Sequence, residues 1–231
     1  MDKQVQTILG LLESCTIEQR KVIFQELRRE FKIHPIEGQL NIVAEIILEA
    51  IHKDQTGLTF RMMRGVIAEA AFEVEVISKM KHWKMDSLEG DPPFDYLLSD
   101  GEGKISVQVK LQRSVKHEPM LANKANKNFS PDMFVVETQK TRGGIDSTTK
   151  ENTRPYRFGE FDIIAVSMQP STGQWGEFMY TVSDWLIPDP KDNSLILKFQ
   201  PIPKSSNEDW TNDFETCIKW LREKREKTID H

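Results

Sequence analysis

Two short alternating segments on either side of a turn constrain the fold more than any other feature of the chain. Residues 94–98 and 104–111 alternate apolar side chains with others, and the run Ser99-Asp100-Gly101-Glu102-Gly103 separates them. Segments of this kind around turn-forming residues are typical of a β-hairpin. The run Gly90-Asp91-Pro92-Pro93 ends the helical pattern that precedes them. The chain is therefore expected to change from helices to strands near residue 91.

The register of this hairpin is expected to bring polar side chains together. If the strands pair symmetrically about the turn, paired residue numbers sum to about 203, which places Asp95 opposite Gln108. Lys110 shares a face with Gln108 because side chains alternate with period two along a strand. Directly opposed Cβ atoms lie about 4.5–5.5 Å apart. The three side chains can therefore converge on one point.

The first third of the chain has helical periodicity. Thr16 and Gln19 form a capping box that opens a helix running to about Phe31. A further apolar stripe spans about residues 40–51, and we expect residues 1–55 to form a helical N-terminal subdomain. A long helix should follow over about residues 60–82, with Glu69 between apolar neighbours.

The remainder of the chain mixes strands with helices. Apolar runs predict strands at about residues 133–138, 161–166 and 178–182, and a short helix near residues 121–127. The tail from about residue 210 to residue 224 has the stripe of an amphipathic helix. The expected fold class is α/β (α+β), with an all-helical N-terminal extension.

The charge distribution separates the middle of the chain from its ends. The 231 residues carry a formal net charge of -5. Between Lys104 and Phe158, 11 Lys or Arg oppose 5 Asp or Glu, so this segment carries +6 and the remainder -11. A local basic excess suits contact with phosphates even in an acidic chain.

Cysteine usage and hydropathy exclude several classes of protein. Cys15 and Cys217 lie far apart and belong to no metal-binding spacing, which argues against a zinc site or a disulfide framework. No apolar run approaches the ~20 residues of a membrane helix, and no signal-peptide pattern opens the chain. We expect a soluble, cytoplasmic protein that contacts no membrane.

Asp95 and Lys110 are the residue types that metal-assisted hydrolysis of a phosphodiester requires. Oxygen ligands hold Mg²⁺ against the phosphate, while a cation positions the attacking water and offsets the developing charge. Asp95 can supply the first group and Lys110 the second. The competing interpretation is an ordinary cross-strand salt bridge between the two.

The spacing of these residues resembles a known nuclease signature. Pro93-Phe94-Asp95, a hairpin-length gap and Gln108-Val109-Lys110 resemble the PD-(D/E)xK nuclease superfamily, and within it a Gln-x-Lys variant of type II restriction endonucleases. Gln108 departs from the commonest pattern, which has Asp or Glu. The resemblance covers residues 58–113 and extends less specifically to residues 161–166.

The resemblance implies a fold and an activity. The fold is a restriction-endonuclease-like mixed central β-sheet flanked by helices, here in a catalytic domain of residues 56–231. The activity is Mg²⁺-dependent cutting of double-stranded DNA at a specific sequence, in a prokaryotic restriction-modification system. Family members often carry a glutamate on the helix before the first core strand, a place that Glu69 occupies. The resemblance thus implies Asp95, Glu69 and Gln108 as metal ligands, with Lys110 as the catalytic cation.

Glu69 also has an ordinary interpretation. A glutamate on a long helix is usually solvated or paired three or four residues away, and Arg64 and Glu73 are nearby. Gln108 could likewise hydrogen-bond a neighbouring backbone group instead of a metal ion.

Basic and amide side chains beyond the catalytic strand predict the DNA contacts. Residues just after the strand would follow the phosphate backbone, and those of the 140–157 segment can also reach base edges. A symmetric DNA site is most simply matched by a C2 dimer, so we expect a homodimer formed through the N-terminal or long helices. The predicted DNA-binding residues are Arg113, Lys116, Lys124, Lys127, Lys140, Arg142, Asn152, Arg154 and Arg157.

Three other functions remain open at this point. A structure-specific or repair nuclease of the same fold would contact phosphates without reading bases. A non-catalytic DNA-binding protein would use the N-terminal helices as a helix-turn-helix. A protein-interaction module would bind its partner through the acidic ends of the chain.

Overall fold

The chain divides into two compact units, Met1–Met62 and Met63–His231. The computed structural model describes residues 2–30, 35–54, 57–116, 118–140, 144 and 153–230, without the side chain of Arg29. None of the helices in these ranges combines the length and apolarity that crossing a lipid bilayer requires.

Helices account for the described part of the first unit and recur in the second. The helix α2 opens with the predicted capping box, because the Thr16 amide donates to Gln19 Oε1 (2.8 Å) and the Gln19 amide donates to Thr16 Oγ1 (3.2 Å). The helices are α1 (Lys3–Ser14), α2 (Ile17–Glu30), α3 (Pro35–Leu40), α4 (Ala44–His52), α5 (Leu58–Glu75), α6 (Ala122–Ala125), α7 (Gln169–Thr172) and α8 (Phe214–Arg222).

The first unit buries almost nothing within itself. Among its described residues only Glu37 is buried, and its carboxylate accepts a hydrogen bond from the Ala44 amide at the start of α4 (2.7 Å). Large apolar side chains of these helices are instead exposed, including Leu11 at 64% and Ile17 at 66%. Apolar exposure on this scale usually marks an interaction surface.

Strands are confined to the second unit among the described residues. Three-residue 3₁₀ turns, at Ile77–Lys79 and Ser183–Trp185, also belong to this unit. The strands are β1 (Lys84–Asp86), β2 (Tyr96–Ser99), β3 (Lys104–Leu111), β4 (Ser114–Val115), β5 (Glu118–Pro119), β6 (Phe134–Glu137), β7 (Ile163–Ser167), β8 (Phe178–Val182), β9 (Pro188–Asp189), β10 (Asp192–Ile196) and β11 (Phe199–Ile202).

A mixed central sheet organises the second unit. In the part of the chain that the structure describes, five strands lie in the order β1-β2-β3-β7-β8. The strands β3 and β7 are parallel, and the other neighbours in this sheet are antiparallel. The remaining strands form three two-stranded ladders, β4 with β5, β6 with β11 and β9 with β10. The predicted mixed sheet flanked by helices, with helices at the N-terminus, is confirmed.

The core explains why these segments adopt these elements. All five residues of β7 are buried, as expected for a strand in the middle of a sheet with both faces covered. Phe72 of α5 is fully buried, with its ring 5.5 Å from that of Tyr96 and 5.4 Å from that of Phe214. Burial of one such ring contributes about 1.5–3 kcal/mol. The helices α5 and α8 therefore pack on the face of the sheet that carries Tyr96.

Two predicted boundaries are wrong, for reasons of packing. The long helix ends at Glu75 and not near residue 82, because the chain continues after Val76 as a 3₁₀ turn that places Ile77 in the core. The tail helix begins at Phe214, after Asp213 caps it, while Trp210 is buried ahead of it. The predicted end of the second helix, at about residue 31, lies outside the described residues; Pro35 begins a further helix.

Candidate active site

The β2–β3 hairpin has the predicted register. Tyr96 pairs with Val107 and Ser99 pairs with Lys104, so the paired residue numbers sum to 203. Gly103 closes the turn with φ of 152°, a backbone conformation that favours glycine, and Asp100 accepts hydrogen bonds from the amides that follow it. One step beyond the last pair, the Asp95 amide donates to the Val107 carbonyl (3.0 Å).

Asp95 lies where β2 stops pairing with β3. Its Oδ2 accepts hydrogen bonds from the Val109 amide (2.7 Å) and from Gln108 Nε2 (2.5 Å). The carboxylate thus takes the place that the next β2 residue would have taken against β3. Gln108 Nε2 also donates to the Val109 carbonyl (3.0 Å), which leaves Gln108 Oε1 as the amide atom without a hydrogen bond to a described residue. Asp95 and Gln108 are therefore held in one orientation.

Lys110 shares the Gln108 face of β3 but does not pair with Asp95. Its Nζ donates to the Tyr156 hydroxyl (3.0 Å) and lies 5.0 Å from the centre of the Tyr156 ring. Among the described residues no carboxylate lies within 4.0 Å of Nζ, so the simple cross-strand salt bridge is not formed. Burial lowers the pKa of Lys110, while the charges of Asp95 and Glu69 act in the opposite direction.

Glu69 approaches the same region from α5. The Tyr96 hydroxyl donates to the Glu69 carbonyl (2.7 Å), which ties this turn of the helix to β2. The carboxylate is half-buried and forms no hydrogen bond or ion pair with another described residue. Burial, and then the charge of Asp95, raise the pKa of Glu69, whereas Lys110 lowers it. The carboxyl of Asp95 also has a raised pKa, chiefly because of burial.

These side chains line one cleft of about 630 Å³ in the second unit. The structure brings together the four residues predicted for catalysis and one predicted for DNA binding. Asp91, Thr153 and Tyr156 line the same cleft without having been predicted. The predicted residues in the cleft are Glu69, Asp95, Gln108, Lys110 and Lys140.

Tyr156 is the main residue that sequence reasoning missed. It is 4% exposed, and its ring lies near both lysines of the cleft, with Lys140 Nζ 5.3 Å from the ring centre. Lys140 also pairs with Glu160 (2.6 Å), whose second oxygen accepts the Arg157 amide (2.9 Å). Burial raises the pKa of Tyr156, so it stays a neutral hydroxyl. No local pattern could have signalled a partner 46 residues from Lys110.

The donor set of the cleft suits a hard divalent cation. No group of three His, Cys, Asp or Glu side chains placed to hold a metal occurs in the described ranges. Asp95, Glu69 and Gln108 Oε1 nevertheless offer two carboxylates and an amide oxygen. Mg²⁺ is commonly held by one or two carboxylates, with water and substrate phosphate completing its octahedron. The residues present therefore fit Mg²⁺ better than zinc.

The other predicted DNA-binding residues lie outside the cleft lining. Arg113 pairs with Glu137, and Arg157 Nη1 donates to Ser194 Oγ (3.0 Å). The Arg154 carbonyl accepts the Lys140 amide (2.9 Å). Lys116 follows β4, Lys124 belongs to α6, and Lys127 follows α6, whereas Arg142 and Asn152 lie outside the described residues.

Comparison with known proteins adds little to this geometry. No protein-family model matches the chain, and no curated protein matches it. Among solved structures it is similar to a bacterial homing endonuclease, I-Ssp6803I, with 15% sequence identity and a TM-score of 0.38 over 69% of this chain and 89% of that chain. A likeness this weak establishes neither a shared fold nor a shared activity.

Replacing Glu69 by Gln is expected to stabilise the protein at neutral pH when no divalent cation is present. The raised pKa means that the folded state binds more protons between the ordinary pKa of Glu and the folded value, so wild-type stability falls as pH rises through that window. The extra stability of Glu69→Gln should disappear below the ordinary pKa of Glu, where the wild-type carboxyl is protonated in both the folded and the unfolded state. Thermal unfolding midpoints from about pH 3 to about pH 8 measure this.

The matched control is Glu73→Gln, on the same helix but exposed. If Glu69→Gln and Glu73→Gln had the same unfolding midpoints across the pH range, the half-buried carboxylate would not be a destabilising charge.

Proposed function

We propose that this protein is a Mg²⁺-dependent endodeoxyribonuclease that hydrolyses phosphodiester bonds in double-stranded DNA, of the PD-(D/E)xK type. The observation that supports this most is the arrangement around Asp95. Two carboxylates and a half-buried lysine face one cleft, and the lysine is held by a phenol and not by a carboxylate. Ionisable side chains that share a cleft without forming ion pairs with one another are typical of catalytic sites.

Five residues of the cleft have a role in the proposed reaction. Asp95 and Glu69, with Gln108 Oε1, would hold Mg²⁺. When bound, this ion polarises the phosphate and favours the ionised form of a water ligand. Lys110 presents an ammonium that can orient the attacking water and offset negative charge on the phosphate. Tyr156 keeps that ammonium in place through its hydroxyl.

We further propose that the protein cuts DNA at a specific sequence, as a type II restriction enzyme does. The polar segment of residues 140–157 supports it, because its arginine and amide side chains can hydrogen-bond base edges as well as phosphates. Lys124 and Lys127 form no ion pair with another described residue and are available to phosphates. Lys140, Arg142, Asn152, Arg154 and Arg157 are the proposed base-reading or phosphate-contacting residues, and a structure-specific nuclease remains the second candidate.

Asp95→Asn and Lys110→Met are each expected to reduce DNA cutting by about a hundredfold or more, because metal binding and water activation are lost. Glu69→Gln should also cut more slowly. Asn is preferable to Ala at position 95, since its side-chain oxygen can still accept from the Val109 amide. The measurement is incubation of phage-length DNA with each purified protein, with Mg²⁺ or with EDTA, followed by gel electrophoresis.

The control for this experiment is Asp91→Asn, an exposed acid of the same cleft with no proposed role. Discrete Mg²⁺-dependent bands would support a sequence-specific enzyme, and a smear would support the second candidate. Wild-type-like cutting by Asp95→Asn or Lys110→Met would overturn the active-site assignment. Absence of Mg²⁺-dependent cutting by the wild type would favour a DNA-binding protein without catalysis.

Gln108→Glu tests the metal site without an activity measurement. The new carboxylate would face Asp95 at the position where Nε2 now donates, so like charges should lower the unfolding midpoint at neutral pH in EDTA. Mg²⁺ should then raise the midpoint of Gln108→Glu more than that of the wild type, because stabilisation grows with the ratio of free ion to Kd. Thermal unfolding with and without Mg²⁺ measures both effects.

Adding Asp95→Asn to Gln108→Glu is the control, since it removes the second carboxylate from the pair. The extra Mg²⁺ stabilisation should disappear in this double variant. Equal Mg²⁺ shifts for the wild type and Gln108→Glu would argue that the cleft does not hold the ion.

Two copies of the chain would supply the two active sites that a double-stranded cut requires. We assign the dimer contact to the first unit, because its large apolar residues are exposed within one chain. Sedimentation equilibrium is expected to give twice the mass of one chain. Leu11→Lys should shift the protein towards the monomer, whereas Met85→Lys, at an exposed apolar residue of β1, should leave the dimer intact. A monomeric wild type would contradict the assignment.

A further inference from the structure

Arg64 occupies an unusual place for an arginine. It precedes Ala68 and Phe72 by one and two helical turns, and those two residues form the buried row of α5. Arg64 continues that row and is partly buried. Its Nη1 donates to Ser114 Oγ (3.1 Å) and its Nη2 donates to Gln169 Oε1 (3.1 Å). The guanidinium is therefore fixed by two side chains from outside its own helix.

Both of these partners are neutral. In the described part of the chain no carboxylate lies within 4.0 Å of the Arg64 guanidinium, in contrast to Arg113 with Glu137 and Arg222 with Asp100. Burial lowers the pKa of Arg64, and no neighbouring charge offsets that effect. A partly buried charge without a counter-charge is costly, and an anion from outside the protein would relieve the cost.

The position of Arg64 in the fold indicates which anion this is. Ser114 lies just beyond β3, and Gln169 lies just beyond β7. Because β3 and β7 are parallel, both residues mark the same edge of the sheet. Lys110, the residue before the last of β3, lies at that edge as well. A DNA strand whose scissile phosphate is at Lys110 would carry its neighbouring phosphates past this edge.

We propose that Arg64 binds a backbone phosphate of the DNA beside the phosphate that is cut, an inference that rests on the proposed nuclease function. A guanidinium has five N–H donors, and Ser114 and Gln169 engage two of them. The remaining donors suit the oxygens of a phosphodiester, which arginine commonly binds in a two-pronged geometry. Since Ser114 and Gln169 already orient the side chain, little further ordering accompanies binding.

The test is the salt dependence of DNA binding, measured in EDTA so that no strand is cut. Kd for a duplex of about 20 base pairs is measured at several salt concentrations for the full chain and its variants. Each phosphate neutralised contributes about 0.9 to the slope of log affinity against log salt. Arg64→Gln should therefore have a slope shallower than the wild type by about 0.9, whereas Arg64→Lys, which keeps the charge, should retain the slope and bind more weakly.

Arg225→Gln is the matched control, because it also removes one positive charge. Arg225 lies beside Gly103 and Lys104, at the opposite end of β3 from Lys110. This variant should keep the wild-type slope. Without DNA, the unfolding midpoint of Arg64→Gln should equal or exceed that of the wild type, since an uncompensated charge has been removed. A purely structural Arg64 would give a lower midpoint and an unchanged slope.

The outcomes separate this inference from the function on which it rests. If the wild type binds the duplex and Arg64→Gln has the wild-type slope, the phosphate contact is refuted while the nuclease proposal stands. If no variant and no wild-type protein binds the duplex, the proposed function fails, and the assignment of Arg64 fails with it.

Discussion

The hydrogen bond from the Val109 amide to the Asp95 carboxylate is the interaction on which the site depends. It lies where β2 separates from β3, so the carboxylate satisfies a backbone donor that would otherwise face the cleft without a partner. An unsatisfied buried donor costs about 1–3 kcal/mol. The same carboxylate accepts a hydrogen bond from Gln108 Nε2, which fixes the amide on the face of β3 that lines the cleft. Asp95 therefore has a structural role in addition to the chemical role proposed for it.

The electrostatics of the cleft oppose stability and favour binding of charged ligands. Burial raises the pKa of Asp95 and Glu69 and lowers the pKa of Lys110, so each charged form is disfavoured in the absence of a ligand. Arg64 adds another charge with neutral partners at the same edge of the sheet. A cation between the carboxylates and phosphates beside the basic groups would compensate these charges. Such an arrangement is typical of sites where function is retained at some expense of stability.

Much of the fold followed from local pattern, and the exceptions have a common cause. The hairpin, the buried strand β7 and the capping box at Thr16 depend on residues close together in the chain, and all three were predicted. The end of α5 was not, because its helical period continues past Glu75 while packing turns Ile77 into the core. The short strands β1, β9, β10 and β11 also escaped prediction. The strands β1 and β9 have only three and two residues, too few to carry a periodic signal. The strand β10 begins with three exposed polar residues, and β11 pairs with β6, which lies far away in the chain.

The sequence by itself determined the register of the hairpin, and with it the relation of Asp95, Gln108 and Lys110. A short turn leaves few ways to pair two alternating strands, and period two then decides which side chains share a face. Only the tertiary structure decided that Tyr156 holds Lys110, that Glu69 faces the cleft and that Arg64 lies at its edge. These contacts join segments 27 to 105 residues apart, a separation at which periodicity carries no information and packing against the central sheet decides which side chains meet.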